Sequence, residues 1–214
     1  MSGDSTHVTS PSAYTVLSLA CRNRIVTASG DGTIMQWDVE TGTSTAAWSD
    51  HGSDVMSLDV RPNDHNVFAS CSCDHSVRVW DVRANQKHAV ACLTVFPSDV
   101  NDVRWFPDSE ALGAAGDDHS CRLMDLRCMN ELNRYYDANK CTATASSCSF
   151  SSSGRLLFAG YDDTFIHAWD TVSPDSKIHA TLANHEARIT EIGVAPSGQA
   201  LASCSWDTTV KVYV

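Results

Sequence analysis

No stretch of the chain approaches the 18 consecutive apolar residues that a membrane-spanning helix requires. Residues Met1 to Ser5 carry neither the basic start nor the apolar run of a secretory leader. Basic residues are scarce: 15 Lys plus Arg stand against 26 Asp plus Glu, a net charge of −11. Such a field repels phosphate backbones and suits a partner with a basic surface, so no nucleic-acid ligand is expected. There is no Gly-rich phosphate loop, no Gly-x-Ser-x-Gly elbow and no Cys-x-x-Cys or His-x-x-x-His pair. These gaps remove the usual starting points for nucleotide binding, nucleophilic catalysis and metal binding. Neither an enzyme nor a cofactor is expected. Nine cysteines in a chain without a leader read as free thiols of a reducing compartment. Cys71 and Cys73, two apart on an expected strand, share one face, yet the spacing of further ligands is missing and no metal is expected there.

What the chain does have is a sentence said five times. Asp74 lies six residues before Trp80, and the offset recurs as Asp31 and Trp37, Asp118 and Met124, Asp163 and Trp169, and Asp207 and Tyr213. The aromatic or Met positions follow one another at 43, 44, 45 and 44 residues. A period of about 40–45 residues, with short alternating strands and a Trp-Asp dipeptide, marks the blades of a WD40-type β-propeller. With 43% apolar and 19% charged residues, the composition suits one packed all-β body.

Residues 1–13 are Ser-, Thr- and Pro-containing and without period, a loose arm. Propeller repeats follow over 14–214, at about 14–50, 51–95, 96–137, 138–184 and 185–214. The first shows its hairpin plainly, with Gly30-Asp-Gly32 between two alternating runs. In the second, Val77 and Val79 alternate with Arg78 and Trp80, the period of a strand between packed neighbours. Outer strands are expected at 43–48, 87–93, 130–136 and 177–182, and the fifth blade stops after its third strand. The only segment available to complete it, residues 5–10, has a weak strand pattern, so the array either closes awkwardly with five blades or forms part of a larger ring.

Within the second blade, His51, Ser70, Asp74 and Trp80 supply an imidazole, a hydroxyl, a carboxylate and an indole N–H, which can join in one hydrogen-bonded chain. The expected role is structural, because a catalytic His and carboxylate would need a nucleophile and an oxyanion site that the sequence does not mark. The fifth blade keeps His185, Ser203 and Asp207 but has Tyr213; the fourth has Ala138 and Ala159 at the His and Ser places. The third has Phe96, Ala114 and Met124 and keeps only Asp118, which makes it the expected weakest.

The runs Gly52–Ser57, Ser98–Asn101, Gly116–Asp118 with Cys121–Leu123, Ser153–Leu157, Ala159–Asp163 and Cys204–Asp207 resemble the β subunit of heterotrimeric G proteins, in order and across nearly all of 14–214. Members of that family are seven-bladed propellers whose N-terminal helix forms a coiled coil with a γ subunit; this chain looks like the last five blades. The resemblance implies a non-catalytic signalling subunit in transmembrane-receptor signal transduction, cytoplasmic and peripheral at the inner face of the plasma membrane through its partners. It also implies that the top of the ring binds an α subunit and effectors. Carried onto matching positions, that surface takes in Asp54, Met56, Asp99, Asn101, Asp117 and Trp206, with Cys73 on the same rim. Tyr14 is a looser match to a further rim aromatic. A γ subunit is an uncertain partner, since no heptad-bearing helix precedes the blades. The competing reading is a general WD40 scaffold such as a ubiquitin-ligase adaptor, against which the rim set speaks. Independently of the resemblance, Asp54 and Asp99 precede expected inner strands and so lie in rim loops, where carboxylates meet Lys or Arg of a partner.

Overall fold

The computed structural model describes residues 15–20, 23–84, 88–173 and 176–214; Tyr14, the arm at 1–13 and the candidate closing segment at 5–10 lie outside them. Among the described residues five antiparallel sheets follow one another in sequence order. The first blade consists of β1 (Thr15–Ala20), β2 (Arg24–Ser29), β3 (Ile34–Asp38) and β4 (Ser44–Trp48). The second has β5 (Val55–Val60), β6 (Val67–Ser72), β7 (Val77–Asp81) and β8 (Ala91–Leu93). The third has β9 (Val100–Trp105), β10 (Ala111–Gly116), β11 (Cys121–Asp125) and β12 (Asn130–Tyr135), and the fourth β13 (Ala145–Phe150), β14 (Leu156–Tyr161), β15 (Ile166–Asp170) and β16 (Ile178–Leu182). The fifth stops at three: β17 (Ile189–Val194), β18 (Leu201–Ser205) and β19 (Val210–Tyr213). Each sheet is a meander in sequence order, the arrangement of a propeller blade. Cys73 falls in the turn after β6 rather than on the strand with Cys71, so the two thiols do not share a face.

The repeating Asp shapes the turn between the second and third strands of every blade. Its carboxylate accepts from the backbone N–H two residues on: Thr33 at 3.0 Å from Asp31, Ser76 at 3.0 Å from Asp74, Ser120 at 3.2 Å from Asp118, Phe165 at 3.3 Å from Asp163 and Thr209 at 2.9 Å from Asp207. The residue between them is left-handed each time: Gly32, His75, His119, Thr164 and Thr208. Glycine takes that conformation freely, while the others hold it because the Asx-type bond offsets its cost. Gly32 has a second reason to be small, since a Cβ there would sit 3.1 Å from the His51 carbonyl oxygen.

Blades stack through their sheet faces. β6 and β10 are buried along their whole length, and Val77, Val79, Leu93, Val100, Val103, Leu112 and Met124 form one cluster between the second and third blades. The fit is close enough that a Cβ on Gly113 would lie 2.5 Å from the Phe150 ring of the next blade. The innermost strands β1, β5, β9, β13 and β17 pack in succession, and no comparable packing joins β17 back to β1 among the described residues.

Candidate functional site

The second blade's inner hairpin is tied to the preceding loop by a continuous hydrogen-bond chain. Trp80 Nε1 donates to Ser70 Oγ at 2.8 Å, Ser70 Oγ lies 2.6 Å from His51 Nε2, and His51 Nδ1 lies 3.0 Å from Asp74 Oδ2. The same carboxylate accepts from Gly52 N at 2.9 Å and Ser76 Oγ at 2.5 Å. Burial alone would raise the Asp74 pKa, but the bonds from Ser76, Gly52 and His51 outweigh it and hold the carboxyl well below its usual range. Burial pushes the His51 imidazole down against the pull of Asp74. Every polar atom in the chain is spent on a neighbour, with no nucleophile aimed at open space.

The other blades vary this scheme. His185 lies 2.7 Å from both Asp207 Oδ2 and Ser203 Oγ, while the Tyr213 hydroxyl is buried without a partner, as its different geometry leads one to expect. In the first blade Trp37 Nε1 donates to Thr27 Oγ1 at 2.9 Å, Thr27 standing ten residues before its Trp as Ser70 does.

Two expectations need correction. In the fourth blade Ala138 is exposed, and the residue in the His place is buried Cys141, 22 residues before Asp163 as His185 is before Asp207. Its thiol donates to the Tyr161 hydroxyl at 3.6 Å, while the Trp169 indole N–H finds no acceptor of good geometry. Nor is the third blade left with a lone Asp118. Arg122, four residues on, forms an ion pair with it, reaches Glu131 Oε2 at 2.8 Å, donates to the Val95 carbonyl and lies 4.6 Å above the Phe96 ring. Phe96 takes the His place as the floor of a cation–π contact.

The rim residues fall into two ranks set by the same period. Cys73, Asp117, Asp162 and Trp206 each precede the repeating Asp, at spacings of 44, 45 and 44. The backbone N–H of each donates to a loop carbonyl at 3.0–3.1 Å, from Asp54, Asp99, Thr144 and Arg188 respectively. Two residues into each inner strand stand Met56, Asn101, Ser146 and Thr190. Sequence reasoning named seven of these twelve positions and missed Thr144, Ser146, Asp162, Arg188 and Thr190, although extending the 44–45-residue spacing reaches all five.

Asn101 Nδ2 donates to Asp117 Oδ1 at 2.8 Å and to the Ala145 carbonyl at 3.0 Å, and His75 Nε2 lies 3.4 Å from Asp99 Oδ1. Burial pushes the Cys73 thiol up to about 12, helped by the hydrogen bond and charge of Asp99 and by Asp54 and Asp117. Those three carboxylates are therefore neighbours of one thiol, which they keep protonated and unreactive. Trp206 lies on another flank, 66% exposed, with the Arg188 guanidinium 4.2 Å above its ring and Arg188 Nη1 3.9 Å from Asp162 Oδ2. Between the flanks opens a cleft of about 620 Å³ with Met56, Asn101, Asp117, Asp162 and Arg188 in its wall. An acidic rim with one exposed indole suits a basic protein surface carrying an apolar contact. Among the described residues no group of three His, Cys, Asp or Glu side chains is placed to hold a metal, and no helix is long and apolar enough to cross a membrane.

A model of the G protein beta WD-40 repeat protein family matches residues 5–214. The chain is 39% identical over 201 residues to a guanine nucleotide-binding protein subunit beta of Oryza sativa subsp. japonica, covering 89% of this chain and 53% of that one. It is 38% identical to the corresponding subunit of Zea mays, covering 89% and 53%, and 37% identical to that of Arabidopsis thaliana, covering 88% and 52%. The chain thus spans about half the length of the curated relatives it matches.

Proposed function

Because the chain belongs to the G protein beta WD-40 repeat family, we propose that it acts as a non-catalytic signalling subunit that binds a G-protein α subunit and effectors through the acidic rim. The observation that carries this reading is the rim row itself: Asp54, Asp99, Asn101 and Asp117 on one flank of the cleft and Trp206, 66% exposed, on the other. Carboxylates there steer and orient a basic partner, and an exposed indole supplies the buried contact that dominates interface energy. Met56, 38% exposed, adds a flexible apolar side chain between them. Cys73 sits under this surface as a protonated thiol rather than as a reactive one.

The same reading puts the protein in the cytoplasm, peripheral at the inner face of the plasma membrane through its partners. Effectors share the rim, and a γ subunit is left as a partner to be tested rather than assigned. A general WD40 scaffold has no reason to hold this particular set. Asp54→Lys tests the assignment by reversing charge at a loop position that takes no part in blade packing. In a pull-down with a purified α subunit the variant should retain far less partner than the parent, with the loss shrinking in high salt. Equal retention by parent and variant would remove the rim from the binding surface.

A further inference from the structure

The place four residues after the repeating Asp is held by Arg78, Arg122, His167 and Lys211 in the second to fifth blades. In the third blade two cations meet Asp118 there: Arg122, and its cross-strand neighbour Arg134 on β12, whose Nη2 lies 3.3 Å from Asp118 Oδ2. The fourth blade has His167 and Thr181 at the same two register positions. His167 Nδ1 turns to Thr181 Oγ1 at 3.0 Å, and its Nε2 is buried without a partner. Nor is Asp163 met from upstream. Cys141, in the His place, donates to Tyr161, and the N–H of Thr142 does not reach Asp163 as those of Gly52 and Glu186 reach Asp74 and Asp207. Among the described residues Asp163 accepts only from Phe165 N, at 3.3 Å.

Beside this carboxylate opens a cavity of about 530 Å³, with Lys140, Thr142, Asp163, Phe165, His167 and Thr181 in its wall. It shares no wall residue with the rim cleft. Its size falls within the range of small-molecule sites, about 300–1,000 Å³. The Phe165 ring is 36% exposed and lies parallel to the His167 imidazole, a surface for a cation as Phe96 is for Arg122. Burial pushes the His167 pKa down, so the charges of the wall are those of Asp163 and the exposed Lys140. A ligand that satisfies both carries a cation and an anion. A guanidinium suits Asp163 and Phe165 better than an ammonium, because its planar fork pairs with a carboxylate and stacks on a ring.

We propose that this cavity binds arginine, whose guanidinium replaces at Asp163 the cations that the third blade supplies from its own strands, and whose carboxylate is met by Lys140. Free arginine and an arginine ending a chain both have this chemistry. The test is an amide NMR titration of the 214-residue chain with L-arginine and with L-citrulline, which keeps the shape and loses the charge. Arginine should give saturable shifts at Lys140, Phe165 and His167, and citrulline should bind about tenfold more weakly, the loss expected for a hydrogen bond between charged groups. Asp163→Asn keeps an oxygen for Phe165 N, and with it the turn, but should weaken arginine binding to the same degree. His167→Arg returns a guanidinium to the fourth blade; it should raise the melting temperature and abolish binding. A peptide ending in arginine that binds more tightly than the free amino acid would identify a chain terminus as the ligand, and the reverse order the amino acid itself. Absence of saturable shifts, equal binding of arginine and citrulline, or a His167→Arg chain that still binds arginine as the parent does would overturn the assignment.

Discussion

The second and third blades occupy the same place in the repeat, keep the same turn aspartate and bury it to a similar degree, yet they anchor it by different chemistry. In the second, Asp74 caps a chain of neutral donors, His51, Ser70 and Trp80, while Arg78 stands aside at 3.6 Å with Asp50 as its closer partner at 2.5 Å. In the third, the imidazole, hydroxyl and indole are all gone, and Arg122 has moved into direct contact with Asp118, backed by Glu131 and the Phe96 ring. The two arginines stand at the same offset from their aspartates. The repeat therefore demands a carboxylate in that turn, to hold the left-handed residue after it, and leaves open which partner satisfies the carboxylate's outer oxygen.

The comparison is broken most severely by Asp118→Ala. It leaves Arg122, whose side chain is only 7% exposed, with a charge only partly met by Glu131. The expected cost is about 3 kcal/mol in chemical denaturation, because removing one partner of a buried ion pair strands the other. Asp74→Ala strands neutral groups and should cost less, about 2 kcal/mol. A larger loss at Asp74 than at Asp118 would mean that the neutral chain is the stronger anchor after all. Trp80→Phe removes one donor from Ser70 and keeps the ring packing against Trp48 and Phe68, so about 1 kcal/mol is expected.

The smallest effect sharpens the comparison through pH. His51 has a folded pKa below its unfolded value, so on acidification through about pH 6.5 the unfolded chain takes up that proton first, and the second blade's anchor loses stability as pH falls. No histidine sits in the third blade's Arg122 cluster. Hydrogen exchange at pH 5.5 relative to pH 7.5, corrected for intrinsic rates, should therefore show more weakening in β6 and β7 than in β10 and β11.

The contrast also marks how far the sequence could be read. The period, the five hairpins and the three-stranded last blade were legible because a six-residue offset between Asp and an aromatic, and alternation of period two, are local patterns. The quartet around Asp74 was legible because four hydrogen-bonding side chains occur at fixed offsets and recur in part around Asp207. The third blade's anchor was not, because its replacement partner entered four residues downstream of Asp118, whereas the reading looked upstream where His51 stands. Cys141 stands at the same 22-residue spacing before Asp163 that His185 keeps before Asp207 and Phe96 before Asp118, so it was within reach of the spacing; the reading set the His place three residues too early, at Ala138. Asp162 and Arg188 were within reach of the spacing alone.

Trp206→Ala probes the rim most directly, because Trp206 combines high exposure with a cation–π contact to a single arginine and no role in the blade core. Binding to an immobilised α subunit should weaken by about 2 kcal/mol, roughly 30-fold in Kd, while the melting temperature stays with that of the parent. A variant that binds as tightly as the parent, or one whose binding falls only in step with its melting temperature, would contradict the assignment of the rim as the partner surface.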